Sequence, residues 1–418
     1  MNYTLEAIKA VVIVVVVLNF IPLLIWFERK GSAYIQDRRG PNRANILGIR
    51  LGGMLHNICD VLKLMTKEDI IPTNVNKFLF HLAPMIAIFV ASVTIGVIPF
   101  ADPITIGGYT IKFQAADLNV GILYLLAVSS LGVYGVMLAG WSSNNAYSLL
   151  GGLRASAQMV SYELSMGLAL VSVIVSAGTV RLPEIVMAQG AGVFSWFIFR
   201  QPLAFILFLT ALFAETNRNP FDLPEGESEL VAGFHTEYSS MKFALFFMAE
   251  YAHIAVGSAL LSVLFLGGWN VPGLDWNVVR AHPFGTLHML MLLFGAGSIA
   301  FGGFLCSRYQ KNKYRDLRDY EVLVFGVPGV LAGIAALVAY FLTSNAWTLS
   351  APFDQIFVTV LQLIVMVAKM IGFCWLFIQV RWTLPRFRYD QLMKLGWRVM
   401  LPLALANITA TAAWVALR

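Results

Sequence analysis

Residues 215–241 read ETNRNPFDLPEGESELVAGFHTEYSSM, and they hold six carboxylates: Glu215, Asp222, Glu225, Glu227, Glu229 and Glu237. One cation, Arg218, accompanies them up to Glu237, so about a quarter of the chain's 23 acids fall in one loop between two apolar segments. Pro220 and Pro224 stop a helix from running through the stretch. Glu225, Glu227 and Glu229 alternate, which in an extended strand puts all three on one side. Like charges that close raise one another's pKa, and burial adds to the effect. The chemistry open to such a group is proton uptake and release. A solvated loop between helices is the plainer reading; the excess of acids over partners argues for perturbed carboxylates at a functional site.

Further charges stand where lipid should surround them. Glu163 and Glu250 each lie about nine residues inside an apolar segment, while Glu28 and Glu215 close two others. At 1.5 Å per residue all four fall within roughly 15 Å of one surface. A carboxylate at membrane depth costs about 2.5–3.5 kcal/mol on insertion scales, and four at a shared depth predict a polar path from that surface inward. Pairing with a nearby arginine is the plainer account of any single one. Lys369, deep in a later segment, is a candidate partner. His253 follows Glu250 at i, i+3, which is half of a helix-borne metal site; no second half is visible, so no metal site is assigned. His235, inside the acidic loop, is of the type that titrates near neutral pH. Cys59, Cys306 and Cys374 are too scattered for an iron–sulfur or zinc ligand set, and no disulfide is expected.

The elements that must position these groups are membrane helices. The chain is 58% hydrophobic and only 12% charged, against about 25% in a soluble domain. Ten apolar runs are long enough to span a bilayer: Leu5–Phe27, Phe78–Phe100, Val120–Gly140, Ala155–Ala177, Val193–Ala214, Met241–Leu266, Phe284–Cys306, Val322–Thr343, Ile356–Phe377 and Trp397–Val415. An all-α polytopic membrane protein of about ten helices is expected, with the first run a retained anchor because no cleavage site follows it. With the N-terminus outside, 22 Lys and Arg lie on the inner side and six on the outer. That asymmetry puts the acidic loop and the long segment 27–77 inside. Ile46–Met65 has apolar residues at helical spacing and reads as an amphipathic interfacial helix. The Gly-Gly pairs at 107–108, 151–152 and 302–303 are expected in turns or close helix contacts. The net charge of +6 is spread over short loops and does not suggest nucleic acid.

Four blocks give the chain a close resemblance to a known family: FERKGSAYIQDRRGPNR at 27–43, YSLLGGLRASAQMVSYE at 147–163, AETNRNPFDLPEGESELVAGFHTEYSSMKFALFFMAEY at 214–251, and Lys369 with VRWTLPRFRYDQLMKLGW at 380–397. They resemble the quinone-site membrane subunit (named 1 or H) of proton-pumping NADH:quinone oxidoreductase (respiratory complex I). The resemblance covers roughly 5–283 and 350–418. It divides the chain into a membrane core, 1–283, an extra hairpin at 284–345 beyond the family's typical eight spans, and C-terminal core helices, 346–418. Arg39 and Ala44 depart from the family's pattern in the first block. The resemblance implies a quinone headgroup chamber built from segment 27–77 and the acidic loop against a hydrophilic arm that carries the iron–sulfur clusters. This chain would bind no flavin or cluster itself, and antiporter-like membrane subunits would be further partners. It implies a proton relay through Glu163, Glu215, Glu225, Glu227, Glu229 and Glu250. Glu28, Arg29, Arg38, Arg43, Asp60, Lys63, Asp222, Arg218 and Lys369 would form the chamber and its counter-charges. The implied setting is a bacterial inner membrane with the acidic loop cytoplasmic. The membrane subunit of an energy-converting hydrogenase is an alternative that the donor module would decide. A stand-alone cation transporter would need inverted repeats and broken helices, neither of which is evident in the sequence.

Overall fold

The computed structural model describes residues 3–46, 51–106, 109–272, 279, 281–309, 320–343 and 353–417. Among them, nine helices are long and apolar enough to cross a membrane, and the chain is an integral membrane protein.

Helix α1 (Tyr3–Ile35) runs eight residues past its expected end, so Glu28, Arg29 and Lys30 lie on helix. A 3-10 turn (Leu51–Gly53) leads into α2 (Leu55–Thr66), the amphipathic helix, which starts later than expected; residues 47–50 lie outside the described ones. Ile58, Val61, Leu62 and Met65 of α2 are exposed, as an interfacial helix requires. Its other side is tied to α1: Asn57 donates to the Pro22 carbonyl at 2.6 Å, and Trp26 Nε1 to that of Gly52 at 3.1 Å. Gly53 is indispensable to this turn. Its φ is 93°, and a Cβ would sit 2.0 Å from the Pro41 carbonyl oxygen.

Helix α3 (Lys77–Ile95) is followed by a short hairpin, β1 (Ile104–Ile106) and β2 (Tyr109–Ile111), paired antiparallel. Next, α4 (Gly121–Ser130) and α5 (Gly132–Ser142) form one span. Helix α6 (Ala146–Ala177) starts nine residues before the expected span, where the Asn145 side chain accepts from Tyr147 N–H at 2.9 Å. It ends at Gly178 in the left-handed region.

The fifth span is where the structure departs most. The run 193–214 is not one helix. After α7 (Leu182–Met187) comes a 3-10 turn (Val193–Ser195), then α8 (Phe197–Arg200), then α9 (Pro202–Glu215). Pro202 has no N–H to give and pushes Gln201 out of the helical region, to φ −134° and ψ 55°. The remaining 14 residues of α9 rise only about 21 Å, short of a roughly 30 Å hydrocarbon core. A broken helix is thus present where none was expected. Protein groups seal the break: Gln201 Nε2 donates to Ser176 and Thr411 hydroxyls at 3.0 Å, and Asn407 donates to Gln201 Oε1 at 3.3 Å. Irregular backbone at this depth survives only when buried in protein in this way.

After the acidic loop, with its one-turn helix α10 (Glu227–Leu230), runs α11 (Ser240–Phe265). The hairpin α12 (Pro283–Ser307) and α13 (Glu321–Thr343) packs tightly on itself through glycines. A Cβ on Gly302 would lie 2.7 Å from the Gly326 carbonyl oxygen. Its Phe325 ring lies 6.4 Å from that of Trp26. Helix α14 (Phe353–Thr383), α15 (Tyr389–Lys394), a π turn (Leu395–Met400) and α16 (Leu401–Ala416) complete the fold. The main core, built largely by α6, α9, α11 and α14, buries Tyr162, Phe208, Phe265 and Phe377.

Candidate functional site

The acidic loop folds back against the helix ends instead of standing in solvent. Its seat is a backbone contact: a Cβ on Gly151 of α6 would come 2.7 Å from Gly233 and Phe234 backbone atoms. The sequence expectation for Gly151-Gly152 is met, since a Cβ on Gly152 would also lie 3.2 Å from the Gly140 Cα. Gly233 itself has φ 59°, and a Cβ there would strike the Pro224 carbonyl oxygen at 1.7 Å.

At the loop's centre Arg218 is 2% exposed. Its Nε lies 2.6 Å from Glu250 of α11, and its Nη1 lies 3.3 Å from both carboxylate oxygens of Glu28 on α1. The contact with Glu250 is close but not aligned as a hydrogen bond, so it is chiefly ionic. Glu28 also receives Arg381 of α14, and the Tyr251 hydroxyl donates to it at 2.8 Å. The guanidinium of Arg218 lies over the Tyr251 ring at 4.3 Å. Burial works against the charge on Arg218, but Glu250, Tyr251 and Glu28 outweigh it and hold the group firmly protonated. Beside this knot, Arg386 reaches Asp222 at 2.7 Å. Burial first, and then the neighbouring Glu225, push the Asp222 carboxyl up to about 7.

The acids expected to form a relay separate into environments. Glu225 is half-buried, 3.9 Å from His235 Nδ1, and borders a cavity of about 50 Å³ that Glu215, Glu250 and His253 also line. Glu215 borders a second cavity of about 40 Å³ and lies within hydrogen-bonding reach of Ser129. Glu163, on α6, is near enough to act electrostatically on Glu215. His235 is buried against Phe234, Phe243 and Phe247.

A family profile described as NADH dehydrogenase matches residues 8–412. An H-type subunit of NADH-quinone oxidoreductase from Solibacter usitatus is 44% identical over 416 residues, covering 99% of this chain and 97% of that protein. Its namesake in Koribacter versatilis is 41% identical over 424 residues, covering 98% and 97%. That of Flavobacterium psychrophilum is 41% identical over 386 residues, covering 92% and 90%. The chain belongs to the H-type subunit family of NADH-quinone oxidoreductase.

Within this NADH-quinone oxidoreductase chain, the structure corrects one expectation about the loop. Glu225, Glu227 and Glu229 do not share a side of an extended strand. Gly226 turns the backbone at φ 26°, and its carbonyl accepts from Glu229 N–H at 2.7 Å and Leu230 N–H at 2.8 Å. Glu225 therefore faces inward while Glu229 is exposed, paired with Arg154 at 2.7 Å. The Glu227 side chain lies outside the described residues. Among the expected counter-charges, Arg218 is central. Arg29 pairs with Asp60 at 2.5 Å, and Lys63 flanks the same acid at 3.5 Å, which fastens α2 to α1. Arg38 donates to Gln36, and both Arg38 and Arg43 are exposed, away from the buried knot.

Lys369 is not brought to the acids. Its Nζ donates to the carbonyls of Leu266, Gly268 and Asn270 at 2.7–2.8 Å and lies 4.4 Å from the Trp196 ring. These carbonyls follow the end of α11, 16 residues or about 24 Å along the helix from Glu250. A helix end leaves carbonyls without partners, and a half-buried lysine satisfies these. Sequence reasoning missed Arg381, Arg386 and Tyr251. The first two stood in the fourth block of the resemblance, and their spacing from the acidic loop in sequence gave no sign of contact.

Proposed function

We propose that this chain is the membrane subunit that couples quinone reduction to proton translocation in NADH-quinone oxidoreductase, complex I. Family membership makes it a subunit of that enzyme. Segment 27–77 and the acidic loop form the chain's part of the quinone headgroup chamber, closed by a hydrophilic arm whose iron–sulfur clusters supply electrons. Other membrane subunits, antiporter-like ones among them, lie beside it. The asymmetry of basic residues supports an inner bacterial membrane with the loop on the cytoplasmic side.

The observation that carries this reading is the continuity of the charged groups. Glu28, Glu250 and Asp222 gather around Arg218, Glu225 acts on Asp222 and Glu250, and Glu250 and Glu225 share a cavity with Glu215, which neighbours Glu163. Reduction of a quinone takes up protons and changes the charge at the chamber. Carboxylates coupled through one buried guanidinium respond together, so the change is passed inward along the row. Arg218 fixes the row in place while the acids gain and lose protons.

Replacement of Glu163 or Glu215 by Gln tests this. Assembly stays intact, while quinone reduction coupled to pumping slows in both variants. Full coupled activity in both would remove these residues from the relay.

A further inference from the structure

We propose that His253 carries protons between the two cavities that flank Glu215, which makes it a further member of the proton path. The inference rests on the reading of the acidic row given above. The loop-side cavity, about 50 Å³, is bordered by Glu225, His235 and Glu250. The far cavity, about 40 Å³, is bordered by Thr94 and Ser129 among apolar side chains. One water needs roughly 10–15 Å³ by the same measure, so each has room for a few. Three residues border both: Glu215, Thr216 and His253. The Thr216 hydroxyl donates back to the Leu212 carbonyl at 3.0 Å, as a helical threonine does. Glu215 and His253 are left as the groups able to exchange protons with both sides.

The position of His253 follows from its helix. It lies one turn beyond Glu250 on α11, on the same face, and Val256, Gly257 and Leu260 of the next turns line the far cavity. Across from it Gly132 presents no side chain; a Cβ there would approach Nε2 to 3.8 Å. Among the described residues, no protein group hydrogen-bonds either ring nitrogen, and the ring faces cavity instead of packed side chains. A neutral imidazole accepts at one nitrogen and donates from the other. A proton taken from the Glu250 side at one nitrogen is matched by one released toward Ser129 and Glu215 at the other. The ring changes tautomer, and rotation about the side chain restores it. One proton moves and no heavy-atom bond changes.

The test uses the whole complex in proteoliposomes, with His253→Asn, His253→Leu and Glu215→Gln assayed for NADH:quinone turnover, proton pumping and solvent deuterium effect. Asn keeps polarity and much of the space but cannot pass a proton through itself. We expect His253→Asn to lose roughly a hundredfold in coupled rate, the lower end of the range for removal of a proton-transfer group, with an enlarged deuterium effect and normal assembly. His253→Leu should lose at least as much; if it does not assemble, the Asn variant decides. Wild-type pumping in His253→Asn while Glu215→Gln is impaired would overturn the role of His253 alone. Unimpaired pumping in both would overturn the reading of the acidic row as well.

Discussion

The ion pair between Arg218 and Glu250 should behave as a coupled buried unit, and a double-mutant cycle measures this. The two side chains are 3% and 16% exposed and 2.6 Å apart, so water screens them little. Arg218→Gln removes a cation shared by two acids. Glu28 keeps Arg381 and the Tyr251 hydroxyl, whereas the ion pair of Glu250 among the described residues is with Arg218 alone. Leaving a buried charge without its partner costs about 3–5 kcal/mol. For a chain of this size that is a fall of roughly 5 °C in the temperature at which the subunit leaves the complex. Glu250→Gln leaves Arg218 with Glu28 and should cost less. The double variant buries neither the unpaired acid nor the half-paired cation, so its loss should fall short of the summed single losses by about 2–3 kcal/mol. Native gels after graded heating, scored for this subunit, give the midpoints. Strict additivity, or wild-type resistance of Arg218→Gln, would refute the claim that this guanidinium holds the acidic row together.

The exposed pair between Arg154 and Glu229, with side chains 31% and 57% exposed, makes the opposite prediction: Glu229→Gln should change stability by less than about 1 kcal/mol in the same heating assay. Asp222 binds its proton more tightly folded than unfolded. Its contribution to stability is therefore complete below the ordinary carboxylate range and is lost as pH rises through about 7. Infrared difference spectra should show its carboxyl signal vanish across that interval, and Asp222→Asn should abolish the change. Gly151→Ala places a methyl 2.7 Å from the loop backbone; we expect quinone reduction to fall severalfold with helix content unchanged by circular dichroism. Lys369→Met leaves three carbonyls unsatisfied at the far end of α11. It should weaken assembly by about 1–3 kcal/mol, with the turnover of whatever complex survives unchanged.

Much of the fold was legible because lipid imposes one demand throughout: long apolar runs must be helices. Nine of the ten expected runs are long helices. The tenth carried its own warning in Arg200-Gln201-Pro202. Length and hydropathy pass over that signal, since Pro202 interrupts a run that remains apolar on average. Helix ends were misjudged where charge was taken as the boundary. Glu28 and Arg29 belong to α1 because α2, Tyr251 and Arg381 supply partners there; hydropathy records only the absence of lipid.

The site was legible in its acids and in Arg218, which stands among them in the loop, and illegible in the cations that come from distant segments, and the asymmetry has a physical cause. An acid within an apolar helix is costly enough to mark itself wherever it stands, so Glu163 and Glu250 could be found from position alone. A cation that neutralises such an acid comes from whichever segment the fold brings near. Arg381 is 353 residues from Glu28, and Arg386 is 164 from Asp222. Choosing the partner from depth and residue type favoured Lys369, which instead serves a helix end. The loop shows the same limit at short range. Alternating glutamates specify a shared face only for extended backbone, and Gly226, free to adopt a positive φ, divides them between the buried row and the surface. Which acids belong to the row is thus decided by one glycine and three arginines, while the presence of a row is announced by the acids themselves.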